Sequence, residues 1–177
     1  MINSGGLFEK KYRPLRVLIK SAALFWWCTL IFGFSSEEGA ASSVRSGGIL
    51  LRIVNVVAPS LNATMENYQS IPALENSERV LRKCAHMFEY AILALLLFLL
   101  IYEFSKVSCS IHMSGIITVI IGAFDEINQT RFEERYGSPV DVLIDAAGAA
   151  IMLLICWRSV NLLSHQKTDG TSEKENY

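Results

Sequence analysis

Apolar residues in this chain gather into long runs instead of alternating with polar ones, and four of the runs approach the length of a membrane helix. The stretches 15–34, 84–102, 111–127 and 140–157 lie within the range of about 17 to 25 predominantly apolar residues that cross a hydrocarbon core. The first carries Lys20 near its start, where a long side chain snorkels to the interface. The second is apolar except at His86 and Glu89. The third ends on Asp125 and Glu126, and the fourth opens with Asp141 and Asp145. The pattern predicts an all-α integral membrane four-helix bundle over 15–157. A basic flank, 1–14, precedes it, and a polar tail, 158–177, follows it. The Gly, Ser, Thr, Lys and Glu content of that tail predicts disorder. In the first loop, 49–59 reads ILLRIVNVVAP, too short to span and too apolar for water. It fits an interfacial or re-entrant helix.

Composition agrees with lipid as the solvent: 51% of the 177 residues are hydrophobic and the net charge is −1. No basic stripe of the nucleic-acid kind is present. Cys28, Cys84, Cys109 and Cys156 are widely spaced, without a C-x-x-C pair, which suits packing as small apolar groups and not a disulfide framework or zinc. Lys10, Lys11, Arg13 and Arg16 ahead of an apolar run, with Gly39-Ala40-Ala41 behind it, also match the layout of a cleaved leader. The length of the run and the repeated return to the membrane favour a retained span. The same basic flank, with Lys106 in the short second loop and Arg158 and Lys167 after the last span, places both termini in the cytoplasm.

Four spans of alternating direction bring the end of the first, the start of the second, the end of the third and the start of the fourth to one membrane face. With cytoplasmic termini that face is extracytoplasmic. It receives Ser35 and Ser36, then Arg82, Lys83, His86, Glu89 and Tyr90, then Asp125, Glu126, Gln129 and Arg135, and finally Asp141 and Asp145. Arg82, His86 and Glu89 or Tyr90 follow at helical steps and share a face, as do Asp125 and Gln129, and Asp141 and Asp145. Ionisable groups at membrane depth pair with one another or mark a site. Plainer roles compete. Arg82 and Lys83 suit anchoring at headgroups. Ser138-Pro139-Val140-Asp141 reads as a helix start, with Ser138 as N-cap and Asp141 reaching back to it. The whole group could act as a polar plug that holds the helices together. Asp125 and Glu126 project about 100° apart, so they do not form a pair acting on one atom. No metal is expected, because no second His or Cys stands at ligand spacing.

Three blocks resemble the VanZ-like family: Phe34-Ser35-Ser36-Glu37-Glu38-Gly39; Arg82-Lys83-Cys84-Ala85-His86-Met87-Phe88-Glu89-Tyr90; and Asp125-Glu126-Ile127-Asn128-Gln129 continuing through Arg135, Gly137-Ser138, Asp141, Asp145 and Gly148. The second is similar to the family's R-K-x-A-H-x-x-E-Y and is the most specific. Asn128 stands where the family often has His, and Glu133-Glu134 replace the usual Pro-Gly. The resemblance implies a small helical membrane protein of Gram-positive-type envelopes linked to glycopeptide, especially teicoplanin, sensitivity.

The expected function is to bind or modify an anionic, lipid-linked envelope component. Arg82, Lys83 and Arg135 would meet its phosphate or carboxylate, with Tyr90, Gln129, Asp141, Asp145, Ser35 and Ser36 around it. His86, Glu89, Asp125 and Glu126 are the candidate catalytic groups, His86 being the only one whose ordinary pKa is near neutral. Membrane lipids are the expected partners, with neither cofactor nor nucleic acid. A small transporter or flippase would want polar residues spread across the bilayer, whereas 91–101 is wholly apolar. A structural protein with a polar plug is the other alternative.

Overall fold

Lipid offers backbone amides no partner, so a chain with membrane-length apolar runs must close its hydrogen bonds within helices. The computed structural model, which describes residues 4–36, 39–59, 64, 72–131 and 138–172, contains five: α1 Ser4–Ser35, α2 Gly39–Val57, α3 Pro72–Ile101, α4 Val107–Gln129 and α5 Pro139–Ser172. There is no strand among the described residues. Four segments, Lys11–Ser35, Asn76–Ile101, Val107–Gln129 and Pro139–Ser164, are long and apolar enough to cross a membrane. The chain has the architecture of a multi-pass membrane protein.

The helices outrun the apolar stretches. α1 and α3 begin eleven and twelve residues before the runs at 15 and 84, and α5 continues well past residue 157. The tail expected to be disordered from 158 is helical through Ser172, and 173–177 lie outside the described residues. Hydropathy reports where lipid is. A helix already nucleated propagates into water until a breaker stops it, and 158–172 holds no proline and a single glycine, Gly170.

α3 is the central post, packed against each of the other four helices. One core joins Ala94 and Phe98 of α3 to Ala149, Leu153 and Cys156 of α5. A second joins Ile31 of α1 to Tyr90, Leu93 and Leu97, with Trp27 and Ile121 beside them. The third pins α2 against the start of α3 through Leu50, Leu51 and Leu74. α2 thus forms the expected helix of the first loop but starts ten residues early. One face lies on α3, and Ile49, Ile53, Val56 and Val57 face outward. Ser46 of α2 also donates to the buried Glu78 of α3, at 2.7 Å.

α4 reverses the arrangement of a soluble helix. Its buried face is Ser110, Ser114, Thr118, Gly122, Asp125, Glu126 and Gln129, while Met113, Ile116, Ile120, Phe124 and Ile127 point outward. Lipid already solvates large apolar side chains, so small residues turn inward to let backbones approach and polar ones to find partners. Two of the hydroxyls close onto their own helix, Ser110 on Lys106 O at 3.0 Å and Thr118 on Ser114 O at 2.8 Å. The tightest approach is between α3 and α5. A Cβ built on Gly148 would lie within 2.1 Å of the Met87 carbonyl oxygen, a distance no side chain tolerates.

Candidate functional site

The ends of α1 and α4 and the starts of α5 and of the spanning part of α3 meet, as alternation of direction requires, and cross-links fix the meeting. Asn128 of α4 approaches Ser36 beyond α1, with Nδ2 and Oγ 3.5 Å apart. The Trp27 indole N–H donates to the backbone carbonyl of Glu89 at 2.9 Å, joining α1 to α3. Lys83 Nζ meets Asp141 Oδ1 at 2.6 Å, joining α3 to α5. Glu126 Oε2 accepts the backbone N–H of Ser138 at 2.8 Å, joining α4 to the entry of α5.

The last two bonds revise the expected helix start. Ser138 caps α5 through Oγ, which accepts the Val140 N–H at 3.2 Å. Asp141 does not reach back to Ser138 N–H, however. That donor goes to Glu126 from the neighbouring helix, and Asp141 turns to Lys83. The reciprocal cap is assembled between two helices, for which no local spacing gives a signal.

Beneath these bonds lies a buried acidic core. Asp125, Glu126 and Asp145 are 1%, 5% and 2% exposed, and Tyr90 is fully buried. Asp145 is within electrostatic reach of Glu126, Asp125, Asp141 and Glu89, and Tyr90 of Asp125, Asp145 and Glu89. Three helices converge on Gly122: a Cβ there would lie 3.3 Å from the Tyr90 ring and 3.7 Å from Asp145 Oδ2. Asp125 Oδ2 accepts from Gln129 Nε2 at 3.0 Å. The Tyr90 hydroxyl stands within hydrogen-bonding reach of the Asp125 carboxylate, whereas both oxygens of Asp145 have no hydrogen-bond partner among the described residues. Buried polar atoms are normally satisfied, and a burial of this kind costs on the order of 1–3 kcal/mol per lost bond.

Positive charge sits at the rim. Lys83 and Arg82 are half-buried, Arg131 is exposed, and Arg135 lies outside the described residues. Arg82 makes no salt bridge among the described residues. His86 and Glu89 are half-buried on the same helix, with His86 Nδ1 shut off from solvent. Ser35 is buried and Ser36 exposed. Lys83, Glu89, Tyr90, Asp125, Glu126, Gln129, Asp141 and Asp145 therefore come together. No group of three or more His, Cys, Asp or Glu side chains among the described residues is arranged to hold a metal ion. Chemically, the cluster offers both acceptors and cations.

Trp27 and Gly122 complete the frame and escape a search for polar residues, whereas Gly148 already stands in the third family block. Their signal would have been the need for a small residue or a donor where helices cross. At the opposite end of the bundle a second polar group closes the structure. Lys20 Nζ meets Glu103 Oε1 at 2.6 Å and Leu99 O at 2.9 Å, and Arg16 reaches Glu103 Oε2 at 3.2 Å. Lys20 is held by protein, where snorkelling to headgroups was expected.

A family model described as VanZ/LLP1 matches residues 21–163, which contain the whole polar cluster. No curated protein and no solved structure matches the chain.

Proposed function

The chain belongs to the VanZ/LLP1 family, and from that premise we propose that its polar cluster binds the headgroup of an anionic, lipid-linked envelope component and thereby influences glycopeptide, above all teicoplanin, sensitivity. The observation that carries this is the mixed charge of the cluster. Both oxygens of Asp145 are without a hydrogen-bond partner among the described residues, the Tyr90 hydroxyl stands by Asp125, and Lys83 meets Asp141 one turn before Asp145. A headgroup bearing both a phosphate and donor groups matches both charges. Its phosphate or carboxylate meets the Arg82 guanidinium by charge-assisted bonds. Its hydroxyl, amine or amide N–H groups satisfy Asp145. A purely anionic ligand would suit the cations and be repelled by the carboxylates. His86, adjacent on α3, is the candidate proton carrier if the bound component is also modified.

The rival polar plug draws support from the Glu126–Ser138 and Lys83–Asp141 bonds, which join helices without needing a ligand. Mass spectrometry of lipids retained by the purified protein separates the two. Wild type is expected to retain a phosphate-bearing lipid that Arg82→Gln and Asp145→Asn lose at unchanged membrane abundance. Identical retention in all three proteins would reject the binding role, and abundance falling in step with function would favour the plug. For the chemical version, His86→Gln at normal abundance is expected to abolish the tolerance phenotype nearly as fully as His86→Ala.

A further inference from the structure

We propose that a groove between α4 and α5 holds one acyl chain of an anionic phospholipid, with the phosphate held beside Arg158, in the leaflet away from the polar cluster. The groove has a volume of about 640 Å³ and an almost wholly apolar wall. Gly115 on α4 and Ala146, Ala149 and Ala150 on α5 recess its floor, where larger residues would have filled it.

Length identifies the occupant. The lining of α5 runs from Ala146 to Trp157, about 16 Å at 1.5 Å per residue. That is roughly half of a ~30 Å hydrocarbon core, the depth of one leaflet. The inner end stops one residue from the buried Asp145. The outer end reaches His112 and Trp157, near the start of α4 and far along α5. A single chain entering from that leaflet fills the groove from end to end.

Charge at the mouth identifies the headgroup. The Arg158 guanidinium stacks over the Trp157 ring, 5.7 Å from its centroid, so a cation stands directly above the indole that lines the entrance. His112 completes the entrance from α4. Its Nδ1 carries the hydrogen donated to Ser108 O at 2.7 Å, which leaves the phosphate to Arg158. Tryptophan with a basic neighbour is the usual composition at a lipid headgroup. A second copy of the chain is a poorer occupant. Two chains related by an axis along the membrane normal would set Arg158 near Arg158, where like charges repel.

The test measures lipid retained by full-length protein in mixed micelles, using phosphatidylglycerol or phosphatidylcholine with identical chains, by native mass spectrometry. Wild type is expected to retain phosphatidylglycerol about fivefold better, the preference that one basic side chain near a membrane surface confers. Arg158→Gln removes that preference and leaves phosphatidylcholine retention unchanged. Ala150→Phe fills the groove from its outward side and lowers retention of both lipids. Val119→Trp does the same from the α4 wall, so the outcome does not hang on one variant. Unchanged retention in both groove variants, at unchanged melting temperature, overturns the proposal. So does a wild-type dimer that Ala150→Phe dissociates while lipid retention persists, which would assign the groove to a second copy.

Discussion

At the scale of single residues, the division of labour between Glu126 and Asp141 separates local from tertiary logic. Asp141 stands at the third position of α5, where a capping box would use it, yet Glu126 takes the Ser138 N–H and Asp141 pairs with Lys83. Glu126 is 5% exposed, whereas the Lys83 and Asp141 side chains are 43% and 33% exposed. A buried acceptor on an otherwise orphaned N–H outweighs a half-exposed ion pair. Glu126→Ala is therefore expected to cost about 1–2 kcal/mol, the usual range for a lost N-cap. Asp141→Ala is expected to cost less than about 1 kcal/mol, the range for solvent-screened pairs. Thermal melts in one detergent would rank the two, and the reverse order would return the capping role to Asp141. That both carboxylates belong to the same group was legible from helix order. Which donor each serves was not, because the deciding contact crosses twelve residues of sequence.

At the scale of elements, the four spans could be read from hydropathy, since length and apolarity are what lipid selects. The same index gave no warning that α4 would turn Ser110, Ser114, Thr118 and Gly122 inward, although these recur every four residues. The pattern is visible only when small residues are counted as the buried face, as packing in lipid demands. Glycines test that rule because their surroundings differ. A Cβ on Gly148 would overlap the Met87 backbone, one on Gly115 would meet the flexible Leu153 side chain at 3.4 Å, and one on Gly33 would have nothing within 4 Å. Alanine at Gly148 must force α3 and α5 apart, and overpacking of that kind costs typically about 1–3 kcal/mol. At Gly115 the side chain can yield, and at Gly33 the change is expected to be neutral or slightly stabilising. Melting temperatures falling in the order Gly33→Ala, Gly115→Ala, Gly148→Ala would bear this out; an unperturbed Gly148→Ala would mean that the two helices do not pack so closely.

At the scale of the whole molecule, two polar groups close the bundle at opposite ends, and they have opposite character. The cluster around Asp145 is buried and acidic with unmet acceptors. The one around Glu103 is paired: the hydrogen bond from Lys20, with the charges of Lys20 and Arg16, holds the Glu103 carboxyl below the ordinary carboxylate range. A depressed folded-state value contributes stability above the unfolded pKa of about 4.3 and loses it as pH falls through the lower folded value. Glu103→Gln should therefore lower the melting temperature at pH 7, with the deficit shrinking below about pH 4; a deficit independent of pH would deny the linkage. The same cluster bears on insertion. Arg13, Arg16 and Lys20 gather at the Glu103 end, where Arg13 also donates to Glu103 O, and basic residues beside a first span are expected on the cytoplasmic side. The long first loop also holds Arg45, Arg52, Arg79, Arg82 and Lys83, but long loops weigh less in this rule and the first span usually dominates. Reporters within 105–110 and after Tyr177 are then expected to be cytoplasmic, and those within 60–70 and 130–137 external, which puts the acidic cluster at the outer face. A reporter active only outside the cell, when fused after Tyr177, would invert the whole assignment. The cluster would then face the cytoplasm, and an envelope component could reach it only from the inner leaflet.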